Sequence, residues 1–105
     1  MDTPAQACTL PAAERPLREA EFDELFTTSV RAAHRRAPTE LRLDLDATEQ
    51  VAMRTAALVL RETECCSFFT FSLTTTNGQL QLEIAVPETY VEVLDALQTR
   101  TEATT

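Results

Sequence analysis

The stretch FFTFSLTTTNGQLQLEIAV (residues 68–86) places two runs of β-prone residues on either side of Asn77-Gly78. Asn-Gly is the strongest short-range hairpin signal, because a type I′ turn requires positive φ at both central residues. In the second run Leu80, Leu82 and Ile84 alternate with polar residues, which is the period of a strand with one buried face. The stretch therefore predicts a β-hairpin.

Upstream of the hairpin, the run ELRLDL (residues 40–45) alternates in the same way and predicts a further half-buried strand. Apolar residues at helical spacing lie both before and after that strand. A first helix is predicted from Pro16 into the basic cluster RAAHRR (residues 31–36), whose cations would offset the negative end of the helix dipole. A second helix is predicted from Asp46, with Glu49 completing a capping box, to about Cys66. A third is predicted over residues 88–100.

This order of elements predicts a single α+β domain over residues 1–105. We expect a two-layer sandwich, in which a small antiparallel or mixed sheet carries about three helices packed on one face. Residues 1–16 contain three of the five prolines and are predicted to form an extended N-terminal arm, with ACTL (residues 7–10) as a candidate edge strand. Residues 101–105 are predicted to be a frayed tail.

The alternation also assigns the two faces of the sheet. The opposite, polar face should be solvated or covered by a second copy of the chain, and it holds Arg42, Asp44, Thr70, Ser72, Gln81 and Glu83. The predicted core consists of Leu41, Leu43, Leu45, Phe69, Phe71, Leu73, Leu80, Leu82 and Ile84, packed against Phe22, Phe26, Val59 and Leu94.

Composition narrows the classes of function. A formal net charge of −8 on 105 residues argues against binding to nucleic acid or to an anionic membrane surface. No apolar run approaches the roughly 20 residues of a membrane span, and the N-terminus has no basic-then-apolar signal pattern, so a cytoplasmic location is expected. Three cysteines are an odd number for a disulfide framework, which favours reduced thiols.

The adjacent Cys65 and Cys66 mark the junction between the second predicted helix and the hairpin. Helical projection places Cys66 on the apolar side and Cys65 nearer the polar side, so one thiol should be buried and the other presented at a rim. That apolar arc is predicted to contain Ala52, Met53, Ala56, Val59 and Leu60. Free cysteine is among the most buried residue types, so both thiols could also be small core residues.

A functional interpretation requires Cys8 as well. Thiolates select soft cations such as Hg(II), Cu(I) and Zn(II). If the ACTL arm adds to the sheet beside the end of the second helix, Cys8, Cys65 and Cys66 would form a three-thiolate metal site. His34 is the only histidine and could supply a fourth ligand. No C-x-x-C pair is present, so the usual zinc spacing is missing.

The ACTL arm and the segment ECCSFFTFSL (residues 64–73) together resemble an uncharacterised family of small actinobacterial proteins. The likeness spans roughly residues 6–98. Related segments in that family are associated with mercury-resistance-type regulators, so the resemblance implies heavy-metal handling by thiols and a regulatory protein as a partner. CC followed by FF is also locally similar to organomercurial lyases, but no aspartate of this chain matches their catalytic aspartate.

Three functions remain open from the sequence. The first is soft-metal binding by a small accessory or sensor-like protein, with a metal ion as the cofactor. The second is a non-enzymatic interaction module, with the cysteines in the core and a homodimer formed through the open sheet face or the aromatic strand. A thiol enzyme with Cys65 as nucleophile ranks last, because it would need a base and an orienting partner that the sequence does not supply.

Overall fold

The computed structural model describes residues 15–104 of the chain. These residues form three α-helices, one short 3₁₀-helix and one four-stranded antiparallel sheet, which confirms the predicted α+β class. The helices are α1 (Arg15–Ser29), α2 (Glu49–Cys65) and α3 (Val91–Thr104), with the 3₁₀-helix η1 at Glu88–Tyr90. The strands are β1 (Val30–Ala37), β2 (Glu40–Leu45), β3 (Thr70–Thr76) and β4 (Gln79–Ala85).

The sheet has the strand order β1-β2-β4-β3, so β2 and β4 are central and β1 and β3 lie at its edges. In the central pair, Leu41 lies opposite Ile84, Leu43 opposite Leu82 and Leu45 opposite Leu80. All six side chains are buried in one core cluster beneath the helices. The intervening residues point to the other face, which is the polar face that the alternation predicts.

The β3–β4 hairpin turns at Asn77-Gly78, as predicted. Asn77 has φ of 54° and Gly78 has φ of 74°, the two positive values that a type I′ turn requires. The hairpin closes with Thr76 opposite Gln79. Local sequence therefore sets the register of β3 on β4.

The helices form the second layer, with α1 in contact with both α2 and α3. Leu25 and Phe26 of α1 are buried between the layers. Ion pairs join α1 to its neighbours at the surface: Arg61 Nη2 lies 2.7 Å from Glu21 Oε2, and Arg100 Nη2 lies 2.7 Å from Asp23 Oδ1. Such exposed pairs contribute little free energy, so the helices are held in place mainly by the burial of their apolar side chains.

The basic cluster RAAHRR, predicted as the end of the first helix, is strand β1. Helix α1 ends at Ser29 and the chain continues without a break into β1, which pairs with β2 from Val30 opposite Leu45 to Ala37 opposite Glu40. Arginine and alanine favour helix locally, but pairing satisfies the backbone groups of β2 that would otherwise form a bare edge. Tertiary contact thus overrides local propensity.

Helix α2 is rotated from the predicted orientation by about one residue, or ~100°. Its buried side carries Thr55, Leu58 and Val59, whereas Met53 and Leu60 are 65% and 66% exposed. The helix also begins two residues later than predicted. Thr48, not Asp46, is the N-cap, and its Oγ1 accepts a hydrogen bond from the Val51 N–H.

Two other expectations about packing were wrong. Helix α3 continues to Thr104, and Thr101 is fully buried with its hydroxyl donating to the Gln98 carbonyl, so residues 101–104 are not a frayed tail. Leu73, predicted to lie in the core, is 36% exposed because β3 is an edge strand. Phe71 on the same strand is half-buried.

Replacing Leu82 by alanine should lower the free energy of unfolding by about 2–5 kcal/mol, because Leu82 is fully buried in the central strand pair. Leu60→Ala is the matched control and should change it by less than about 0.5 kcal/mol, since Leu60 is exposed. Urea unfolding followed by circular dichroism measures both values. Equal losses of unfolding free energy in the two variants would contradict the orientation of α2 that places Leu60 at the surface.

Replacing Gly78 by alanine should cost about 1–2 kcal/mol of unfolding free energy, because an L-residue with a Cβ is strained at this positive φ. A Cβ at this position would meet no atom within 4 Å, so the cost comes from the backbone alone. Gly78→Asn should cost less, since asparagine tolerates the left-handed region. Identical stabilities for the two variants would argue against the type I′ turn.

Candidate functional site

The candidate site lies where α2 ends and the chain turns toward β3. Cys66 is the C-cap of α2, with φ of −125° and ψ of 86°, and its N–H donates to the Glu62 carbonyl at 2.7 Å. Its own carbonyl accepts from the Phe69 N–H at 3.3 Å. These two hydrogen bonds fix Cys66 between the helical layer and the sheet.

Aromatic rings surround this turn. Phe68 stacks on Tyr90 of η1 with ring centroids 4.3 Å apart and planes 9° from parallel. Phe69 is tilted against both Phe68 and Phe71, at centroid distances of 4.5 and 5.1 Å. Cys66 is 4% exposed and belongs to the same core cluster as Phe69, so the burial predicted for this thiol is observed.

Cys66 is disulfide-bonded, whereas the odd cysteine count led us to expect reduced thiols. The chain has three cysteines, so the bonded sulfur belongs to one of the other two. Cys8 and the side chain of Cys65 lie outside the described residues. The bond forms even though the count is odd, because pairing needs only two sulfurs brought together by the fold.

Among the described side chains, no three His, Cys, Asp or Glu residues are grouped so that they could hold a metal ion. Cys66 is the one cysteine side chain in that set, so the predicted site of Cys8, Cys65 and Cys66 falls largely outside it. His34 is no candidate for a fourth ligand. It lies on β1 opposite Arg42, on the sheet face away from the core, and its Nε2 is 3.0 Å from Asp44 Oδ2.

Glu62 is an acidic residue of α2 near the candidate site. It is half-buried and lies one helical turn before Cys66, on the same side of the helix. The rotated orientation of α2 accounts for this. A carboxylate one turn from a buried sulfur disfavours a free thiolate, but it would help to balance the positive charge of a bound metal ion.

The polar face of the sheet carries a second cluster of charged residues. Asp44 lies between His34 and Arg42, and its Oδ1 is 3.5 Å from Arg42 Nε. A depression of about 220 Å³ nearby is lined by residues that include Arg36, Glu40, Thr70, Ser72 and Glu83. Charges of both signs with two hydroxyls suit a polar contact surface, and they include no nucleophile activated by a base.

No protein-family model, no curated protein and no solved structure matches this chain. Over the part of the chain that the structure describes, no helix combines the length and apolar character needed to cross a membrane.

Reduction of the disulfide should lower the free energy of unfolding by about 2–4 kcal/mol if the partner is Cys8, because the bond then closes a long loop in the unfolded chain. The loss should be much smaller if the partner is the adjacent Cys65, since that bond closes almost no loop. Urea unfolding with and without a phosphine reductant measures the difference. Cys66→Ala should be less stable than the oxidised protein and insensitive to the reductant. Non-reducing peptide mapping identifies the partner cysteine, and free thiol at Cys66 in oxidised protein would contradict the bond.

Proposed function

We propose that the reduced protein binds a soft metal ion, of the class of Hg(II), Cu(I) or Zn(II), through the thiolates of Cys66, Cys65 and Cys8. The observation that carries this proposal is the disulfide of Cys66. A disulfide requires a second cysteine sulfur at bonding distance, so two-electron reduction leaves two thiols side by side. Adjacent thiols are the ligands that soft cations prefer.

The surroundings of Cys66 favour a metal over a bare thiolate. The sulfur is buried among apolar and aromatic residues, where an unpaired anion is costly. It also lies at the C-terminal end of α2, whose dipole disfavours negative charge. A bound cation neutralises the thiolates, and each coordinating thiol releases its proton to solvent. Binding should therefore depend on metal and strengthen as pH rises.

Oxidation and metal binding compete for the same sulfurs. The disulfide form has no thiolate at Cys66 to offer, and a thiol or phosphine reductant must supply two electrons before coordination. The resemblance to segments associated with mercury-resistance-type regulators supports a role beside a regulatory protein. The proposed role is accordingly that of a small metal-handling or sensing accessory.

The alternative function is a non-enzymatic interaction module in which Cys66 serves as a core residue. The membership of Cys66 in the main core cluster supports it. The two functions differ in one respect that can be measured: a core residue gains no stability from a soft metal, whereas a thiolate ligand does, because a ligand that binds only the folded state stabilises it.

Titration of the phosphine-reduced protein with Hg(II), Cu(I) and Zn(II) tests the proposal, with sulfur-to-metal absorption and melting temperature as readouts. We expect a saturable absorption band and a rise in melting temperature with at least one of the three ions. Cys66→Ser should lose both. Cys8→Ser and Cys65→Ser then show which of the two completes the site.

Two controls separate thiolate binding from adsorption to an acidic surface. His34→Ala should bind as the unmodified protein does, because His34 lies on the opposite sheet face. Protein alkylated at its reduced cysteines keeps its negative charge and should show neither readout. If none of the three ions changes the melting temperature of the reduced protein, Cys66 is a core residue and the metal proposal fails.

A further inference from the structure

The two edge strands of the sheet, β1 and β3, differ in how they are protected against pairing with another chain. Strand β1 carries three arginines, and its pairing with β2 has two register irregularities. Arg35 of β1 also reaches α3, where its Nη2 lies 2.8 Å from Asp95 Oδ1. Charges and bulges of this kind are the devices by which proteins prevent an edge strand from pairing with another chain.

Strand β3 has none of these devices. Its sequence, TFSLTTT, contains no charged residue and no proline, and its pairing with β4 runs in regular register over all seven residues. Within residues 15–104 its only strand neighbour is β4, so its outer backbone groups are unpaired there. The whole segment 65–82 is free of charge in a chain whose net charge is −8.

The hairpin geometry identifies which backbone groups face outward. In a two-residue hairpin the closing pair, here Thr76 and Gln79, is hydrogen-bonded, and bonded and non-bonded pairs then alternate. Residues at non-bonded positions direct their N–H and C=O groups away from β4. These residues are Phe71, Leu73 and Thr75.

We propose that β3 pairs with β3 of a second copy of this chain, antiparallel and with Leu73 opposite Leu73 of the partner. Leu73 is the central residue of β3, so this register satisfies the outward groups of all three residues in both copies. It also covers the Leu73 side chain, which is 36% exposed in the single chain. A two-fold pairing of identical edges closes on itself and gives a dimer rather than a filament.

The charge distribution selects a second copy over a basic partner. A basic partner would be attracted to the acidic surfaces, and β3 presents no charge to it. Two acidic copies repel one another wherever charged surfaces meet, and the uncharged segment lets them approach with the least repulsion. Because the remaining repulsion is screened by salt, the dimer should strengthen as ionic strength increases.

Sedimentation equilibrium of the oxidised full chain over a range of concentrations tests the dimer. We expect reversible monomer–dimer association that strengthens with salt. Leu73→Lys places two like charges opposite each other and should raise the dimer dissociation constant about tenfold or more. Ala96→Lys adds the same charge on an exposed position of α3 and should leave the constant unchanged or slightly lower.

A second variant keeps Leu73 and removes an outward backbone donor. Proline is tolerated on an edge strand where its nitrogen faces solvent, so Thr75→Pro should preserve the circular dichroism spectrum and abolish the dimer. A protein that stays monomeric at every concentration and salt level would overturn the proposal. A dimer that survives both Leu73→Lys and Thr75→Pro would overturn it too, and would place the contact on another surface. Neither outcome involves the cysteines, so the metal proposal stands or falls separately.

Discussion

The fold depends on the pairing of β2 with β4, which places three aliphatic residues from each strand on one face. The partners Leu41 and Ile84, Leu43 and Leu82, and Leu45 and Leu80 form a continuous apolar surface. Three helices cover that surface, and their burial against it is the main source of stability. Because side chains alternate along a strand, the same pairing commits the intervening residues to the polar face.

The position of Cys66 follows from this arrangement. Helix α2 must end near the edge of the sheet for the chain to enter β3, and Cys66 caps the helix at that point. The Phe68–Tyr90 stack closes the same corner from η1. The disulfide of Cys66 lies at the boundary of the two layers, so the redox state of this residue affects a junction on which both layers rely.

The cysteine pair and the edge strand lie in one uncharged segment, residues 65–82, of an otherwise acidic protein. Charged residues are depleted where surfaces become buried, whether in a core, around a buried ligand or between subunits. The absence of charge in this segment accords with the burial of Cys66 in the core and with the pairing proposed for β3. The arginines of β1, at the opposite edge, oppose the pairing of that edge with another chain.

The sequence by itself determined the fold class, the hairpin at Asn77-Gly78, the central alternating strands and the burial of Cys66. Each of these follows from local chemistry: a turn that needs positive φ, or a period of two or 3.6 residues. Only the tertiary structure decided that Val30–Ala37 is a strand, because arginine and alanine favour helix until an unpaired β2 lies beside them. It also decided the rotation of α2, since Leu58 and Thr55 compete with Met53 and Leu60 for the core and the sequence does not rank them. The disulfide of Cys66 belongs to the same category, because bonding depends on the distance between two sulfurs, which no local sequence pattern specifies.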